Sequence, residues 1–337
     1  MPIRVAVDAM GGDHAPGVVV EGALSALHKA GEDLEVLLVG PQALLEAELA
    51  KHEAASAVKG LHLIDAPEVI GMAESPASAV KNKTRSSIHV GLGAHKQGDA
   101  DAFISAGNTG AVMAASLFTL GRLPKVARPT LIGFIPTTKG NHSISVDMGS
   151  NVDCKPEHLV QFAQMGAIFA ERLLDRENPS IALMNIGEEP GKGNEQIKAT
   201  YNLLEARDDV NFVGNIEGRD LLFYAADVIV FDGFVGNIVL KFGESCMTTV
   251  LRQLVMEEME RLQFDDAQKG LVKSLLGSIS KRFNYEEYGG APLLGVNGNV
   301  LIGHGSSSAR AIQQLILTAT RVVGHNIPEA ITEVLGD

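Results

Sequence analysis

Two cysteines, Cys154 and Cys246, in 337 residues are too few for a disulfide scaffold or a cysteine-rich metal site. No stretch approaches the roughly 18 consecutive apolar residues of a membrane span. Positive charge is short as well. The chain has 28 Lys and Arg against 41 Asp and Glu, a formal net charge of −13. That excludes a general nucleic-acid binder, because a phosphate backbone needs a basic face. The start, MPIRVAVDAM, has no basic segment leading into an apolar one, so no signal peptide is expected. There is also no repeat, low-complexity tract or flexible linker. These absences lead to the expectation of a soluble, cytoplasmic protein. The 45% hydrophobic and 20% charged content is that of a packed globular chain. The length suits one large α/β unit, 1–337, or two closely joined lobes.

Short apolar runs alternate with helical spacing through the first two thirds of the chain. IRVAVDA, LEVLLVG, LHLIDA, DAFISAG, SIALMNIG, VNFVGNI and DVIVFDG read as strands. Pro16 to Ala30, Pro41 to Glu53, Pro156 to Asp175 and Asn194 to Ala206 read as helices, and 76–97 as polar and partly helical. TLIGFIPT and HSISVDMG are close enough to pair, as a hairpin-like excursion or two sheet strands. This alternation predicts a doubly wound, largely parallel sheet, in which ligands bind outside the carboxyl ends of the strands. From about Gly243 the spacing changes to long helices, so 243–285 is expected to form a helical excursion. A last helix is expected from Ser306 to Val323.

The strand ends are unusual. DAMGGDHAPG, SAGNTG, DMGSNVDCKPEH, NIGEEPGKGNE, FDGFVGN and LIGHGSSSAR are all small and polar. Turn chemistry accounts for one or two such loops; six along one sheet edge would line a polar, glycine-rich cleft. In SAGNTG, bare backbone N–H groups and the positive end of the following helix suit an anion such as phosphate. The plainer reading is a tight turn capped by Asn108 or Thr109. KNKTRSS is locally basic, and Arg85 followed by Ser86 and Ser87 suits phosphate too, as does a solvated face. Lys192 lies between Gly191 and Gly193 and so can reach into a cleft or simply into solvent. His304 and Ser306 stand where a strand meets a helix. There they could serve an oxyanion, or be a structural His beside a Ser cap.

Nucleotide motifs fail on spacing. Gly187, Gly191, Lys192 and Gly193 have too few residues between the glycines for a phosphate-binding P-loop. After Gly91 and Gly93, Lys96 stands where a dinucleotide fingerprint needs glycine. Cys154 reads more readily as a small packed thiol than as a nucleophile. Asp147, Asp153 and His158 could ligate a metal, but capping explains them equally, with Asp153 just ahead of the helix opened by Pro156.

The motifs VDAMGGDHAP, SAGNTGAVMA, GSNVDCKPEHLVQFA, NIGEEPGKGNEQIKATY, NIEGRDL, DGFVGNIVLK and YGGAPLLGVNGNVLIGHGSSSARAI occur in this order. Together they closely resemble the bacterial acyl-carrier-protein (ACP):phosphate acyltransferases of phospholipid synthesis, from about Ile3 to the C-terminal helix. The resemblance implies transfer of a fatty acyl group from acyl-ACP to inorganic phosphate without a cofactor or metal. It also implies a homodimer and delivery of acyl phosphate to a membrane-bound glycerol-3-phosphate acyltransferase. The fold it implies is that of the isocitrate and isopropylmalate dehydrogenases, related to phosphotransacetylase. Phosphate is then assigned to Asn108, Thr109, Gly110 and Arg85, and the thioester carbonyl to Lys192, Asn237 and His304 with Ser306 nearby. Lys81 stands where the family pattern calls for arginine, so Lys81 and Arg85 would divide the phosphate work. An NAD-dependent β-decarboxylating dehydrogenase on the related fold would need an adenosine-binding loop and a carboxylate-built metal site, and the sequence offers neither. A non-enzymatic scaffold would leave the six polar loops unexplained.

The segment QKGLVKSLLGSISKRF, Gln268 to Phe283, combines Lys269, Lys273, Lys281 and Arg282 with apolar residues at helical spacing. It is expected to face anionic lipid as a peripheral membrane contact, the acidic carrier protein, or a dimer partner.

Overall fold

The computed structural model describes residues 1–52, 58–282 and 290–336. The chain divides into two compact units, Met1–Gly133 with Gln164–Asn178 and Glu286–Asp337, and Phe134–Ala163 with Pro179–Tyr285.

The first unit is built on β1 (Ile3–Asp8), β2 (Leu34–Gly40), β3 (Leu61–Asp65), β4 (Ala102–Ser105), β5 (Thr130–Pro136), β10 (Ala291–Leu294) and β11 (Val300–Ile302), in the order β3-β2-β1-β4-β11-β10-β5. The first five strands of that order run parallel, and β10 is antiparallel to both its neighbours. Val5, Ala6 and Val7 of β1 are buried, as are Phe103 and Ile104 of β4. Near-continuous apolar strands are what a parallel sheet covered on both faces requires. The register Val7↔Ile104 and Ile104↔Leu301 brings the carboxyl ends of β1, β4 and β11 side by side.

The helices around these strands are α1 (Gly17–Ala30), α2 (Gln42–Leu49), α3 (Pro76–Asn82), α4 (Ser87–Gln97), α5 (Thr109–Thr119), α11 (Ala309–Gly324) and α12 (Ile327–Gly336), with α6 (Pro156–Leu174) shared between the units' ranges. Helices α1 and α11 approach so closely that a Cβ on Gly22 would lie 2.6 Å from Ile312 Cβ. The last long helix starts at Ala309, with the Ser308 hydroxyl accepting from Ala311 N at 3.2 Å. Ser308, not Ser306, is therefore its cap. The sequence reading also stopped before α12, whose Ile327, Ala330 and Ile331 are buried at helical spacing.

The second unit carries β6 (His142–Val146), β7 (Ser180–Met184), β8 (Asn211–Ile216) and β9 (Val228–Val230) in the parallel order β6-β9-β7-β8. Strand β5 leads into β6 through a turn closed by Thr137 N donating to Asn141 O at 2.9 Å. The helices are α7 (Glu195–Glu205), α8 (Gly233–Ser245), a π-helical stretch Cys246–Leu254, α9 (Val255–Arg261) and α10 (Asp266–Arg282). Helical structure thus begins ten residues earlier than Gly243, and it takes Asn237 out of a loop and onto α8.

Candidate active site

In the first unit the loops after β1, β4 and β11 pack against one another at backbone distance. Asp13 N donates to Gly305 O at 2.7 Å. A Cβ on Gly11 would lie 2.7 Å from Gly107 N, and one on Gly12, where φ is +109°, would lie 3.0 Å from Gly305 O. Side chains at these two positions would force the loops apart. Above them, a Cβ on Gly305 would meet Met72 Cε at 2.6 Å. The glycines are needed for loop against loop before any ligand is considered.

Asn108 caps α5: its Oδ1 accepts from Ala111 N at 3.1 Å. Its Nδ2 donates to Glu74 O at 2.9 Å and to Met72 O at 3.1 Å. The side chain is 9% exposed, so both ends serve the protein itself. What the turn offers an anion is its main chain, the N–H groups of Thr109 and Gly110 in the first turn of α5, which no intrahelical carbonyl can reach. Thr109 is exposed. A Cβ on Gly110 would lie 2.7 Å from Pro76 Cγ, which sets the start of α3 against the start of α5.

This geometry gives Asn108→Leu two expected effects. Besides a raised KM for phosphate, it removes a cap and orphans the loop carbonyls of Met72 and Glu74. The loss of stability should be about 1–2 kcal/mol, read by denaturant unfolding beside phosphate kinetics. An unchanged KM at unchanged stability would contradict both roles.

Arg85 is held by its backbone, with N donating to Glu68 Oε2 at 2.8 Å and O accepting from Glu68 N at 3.3 Å. Its exposed guanidinium forms no ion pair with any described residue. Ser86 and Ser87, by contrast, are buried and committed. Ser86 caps α4, and Ser87 bonds to the carboxylate of Asp8. His304 Nδ1 lies 2.8 Å from Ser306 Oγ, and both residues are exposed.

In the second unit, Asp147 is fully buried at the end of β6 and organises the loop after it. Its carboxylate accepts from Ser150 N at 3.0 Å, Asn151 N at 2.7 Å and Asn151 Nδ2 at 2.8 Å. A metal-ligand role is thus already filled by loop donors. His158 Nδ1 accepts from Lys155 N at 3.1 Å, a helix-start contact expected of Asp153. Among the described residues no three His, Cys, Asp or Glu side chains gather as a metal site. Gly233 N donates to Asn151 O at 2.8 Å, and Asp232 caps α8 through Val235 N at 2.9 Å. Exposed Asn237 lies over Gly149, whose added Cβ would meet Asn237 Cβ at 3.4 Å.

Lys192 is exposed in the loop between β7 and α7, and its main chain is pinned there. Asn185 Nδ2 donates to Lys192 O at 3.1 Å, and Lys192 N donates to Glu189 O at 3.0 Å. Its stem runs over Gly187, where a Cβ would come within 2.9 Å of Lys192 Cγ. Asn185, Asp147 and Asp8 do the positioning in their loops; of the three, the sequence pattern singles out only Asp147, with capping as one of its two readings. Each is the polar residue that closes a strand, a signal that was available but is shared by many turns.

Solved structures place this fold. A phosphotransacetylase from Streptococcus pyogenes superposes with a TM-score of 0.62 at 17% identity, covering 96% of this chain and 94% of that one. A branched-chain phosphotransacylase from Enterococcus faecalis gives 0.60 at 15% identity, covering 96% and 100%. The class is therefore an α/β protein with the phosphotransacetylase fold. Residues 3–330 match the family described as "Fatty acid synthesis protein". A protein from Salinibacter ruber named phosphate acyltransferase is 56% identical over 330 residues, covering 98% of this chain and 97% of its own. Its counterpart from Chlorobaculum parvum is 45% identical over 340 residues, covering 99% of both chains. The chain belongs to this fatty-acid-synthesis family of phosphate acyltransferases.

Proposed function

We propose that the protein transfers a fatty acyl group from acyl-ACP to inorganic phosphate by direct attack on the thioester. The observation that carries this reading is the β4–α5 turn. Its first-turn N–H groups have no intrahelical acceptor, and the adjoining loops touch where Gly11 and Gly12 leave no room for a side chain. A phosphate oxygen attacks the thioester carbon, the C–O bond forms and the C–S bond breaks. The carrier thiol leaves with the proton that phosphate gives up. Near neutral pH a good fraction of phosphate is already dianionic, its second pKa of about 6–7 being like a phosphoester's. The leaving thiol has an ordinary pKa of about 8.5. Neither side needs a strong base, so the protein's task is positioning and stabilisation of the tetrahedral oxyanion. Phosphate is assigned to the N–H groups of Thr109 and Gly110 with Arg85 as counter-charge, Asn108 shaping the turn. Lys192, Asn237 and His304, with Ser306 beside it, are assigned to the carbonyl oxygen.

Incubation with acyl-ACP and phosphate should give acyl phosphate, trapped by hydroxylamine as the hydroxamate, and free carrier thiol in equal amounts. Absence of both products would reject the reading. Direct transfer also predicts that Cys154→Ala keeps most activity and that no acyl-enzyme accumulates without phosphate. The Cys154 Sγ lies 3.4 Å from Asn151 O, packed into the loop that Asp147 organises. An acyl adduct found by mass spectrometry on any residue would replace this mechanism with a two-step one.

The same reading carries a cytoplasmic homodimer that hands acyl phosphate to a membrane-bound glycerol-3-phosphate acyltransferase. None of the described helices is long and apolar enough to cross a membrane, so such a hand-over calls for peripheral contact, and α10 is the segment assigned to it. Its apolar residues divide in two. Val272, Leu276 and Ile279 are half-buried at i, i+4, i+7, whereas Leu271 and Leu275 are 74% and 59% exposed. Lys269 is drawn to Glu260 at 2.9 Å, and among the described side chains of α10 this leaves Lys273 as the exposed cation. The side chains of Lys281 and Arg282, and Phe283, lie outside the described residues. Leu275→Glu should weaken salt-sensitive binding to anionic vesicles and leave transfer in solution largely intact. Conversion of this variant to monomers would assign the helix to a dimer interface instead.

A further inference from the structure

Asp8 ends β1 directly beneath the turn assigned to phosphate, and the transfer chemistry makes no use of it. Its side chain is 2% exposed, and no cation among the described residues pairs with it. It is held by dipoles alone. Oδ2 accepts from the Ser105 hydroxyl at 2.6 Å, Oδ1 accepts from Met10 N at 3.1 Å, and Ser87 contributes a further side-chain bond. The Ser105 hydroxyl in turn accepts from Gly107 N at 3.0 Å. Gly11 sits against this group, where a Cβ would lie 2.7 Å from Asp8 Oδ2 and 3.0 Å from Ser105 Oγ. One carboxylate thus joins the β1 loop, the β4–α5 turn and the start of α4. Burial pushes its pKa up despite those three bonds, so a negative charge is kept at a disadvantage.

A buried, cation-free carboxylate below an anion site is electrostatically unhelpful, since it repels the ligand. Its presence there is accounted for by a geometric task instead. We infer that Asp8 is a positioning residue: through Ser105 it fixes the turn so that the Thr109 and Gly110 N–H groups point outward at phosphate. Only an acceptor can take both the Ser105 hydroxyl and the Met10 N–H. Asparagine keeps the shape but presents an N–H₂ to Ser105, which leaves its hydroxyl without that acceptor and loosens Gly107.

The inference rests on the phosphate reading of the β4–α5 turn, and the sign of one measurement separates positioning from charge. In Asp8→Asn, loss of positioning raises the KM and Kd for inorganic phosphate, by about tenfold or more. Loss of repulsion alone would lower them. The KM for acyl-ACP should move little, whereas a merely structural fault would shift both substrates together with thermal stability. Ser105→Ala should weaken phosphate in the same direction. The double variant should be no worse than Asp8→Asn, because both act through one hydrogen bond. If Asp8→Asn does not fold, Ser105→Ala decides by its own split between the two KM values. Calorimetric titration of the wild-type protein with inorganic phosphate separates the two ideas. No binding there overturns the phosphate site and this inference together. Binding that survives unchanged or tightened in Asp8→Asn, or weakened by fully additive amounts in the double variant, overturns the inference alone.

Discussion

Replacing Lys192 with methionine should lower kcat by at least about a hundredfold with little change in folding stability. Lys192 is exposed, so its loss removes no core packing. Its main chain is nevertheless fixed by Asn185 and Glu189, and its stem is laid over Gly187. The loop takes its turn at Gly193, where φ is +92° and a Cβ would meet Asn185 Oδ1 at 2.5 Å. Asn194 then caps α7 through Ile197 N at 2.9 Å. A flexible ammonium on a rigid base suits a group that must meet a charge present only in the transition state. One such donor contributes about 3 kcal/mol, which is the hundredfold expected. Methionine keeps the stem and removes the charge, so the loss should fall on kcat more than on either KM. Lys192→Arg should restore part of the rate, as a charge in a different shape. Steady-state kinetics of the three proteins, with thermal unfolding beside them, check this. An unchanged kcat in the methionine variant would remove Lys192 from the chemistry.

Gly236→Ala should be the most damaging of the small substitutions. Gly236 is buried in α8, and an added Cβ would lie 1.9 Å from Asp147 O and 2.7 Å from the Phe231 ring. The first neighbour is backbone, so no rotamer change relieves the clash. Either α8 moves off the β6 loop or that loop deforms. Asp147 cannot shift freely, because its carboxylate holds Ser150 and Asn151. Elsewhere in an exposed helix, Gly→Ala adds stability through propensity; here overpacking reverses the sign, by about 3 kcal/mol or more. Asn237 is the next residue on α8, so any surviving folded protein should also transfer acyl groups poorly. Denaturant unfolding gives the test, and a stability equal to wild type would show that α8 has room to move.

Much of this molecule is legible along the chain. Short apolar runs such as IRVAVDA announce buried parallel strands, and Asn108 and Asn194 announce helix starts, because a cap bonds only three residues ahead. The glycine-rich strand ends stand out as the candidate ligand loops, and the order of long motifs identifies the family. The misreadings were local ambiguities. Among three successive serines, Ser306 to Ser308, the sequence pattern points to Ser306 as the α11 cap, whereas the capping hydrogen bond belongs to Ser308. Asn237 read as loop because its glycine neighbours hide a helix.

How those strand ends pack against one another is a matter of long-range contacts. Asp8 and Ser105 meet across 97 residues, because β1 and β4 are neighbours in a sheet order that no local pattern encodes. The same order turns Gly11, Gly12 and Gly305 from apparent ligand-lining residues into the points where three loops touch. It also turns the side chain of Asn108 inward, leaving backbone N–H groups as what the turn presents. Periodicity, capping and turn chemistry act over a few residues and survive in the sequence as patterns. Which carboxylate is buried beneath which turn depends on strand neighbours far apart in the chain, and only the packed fold determines that.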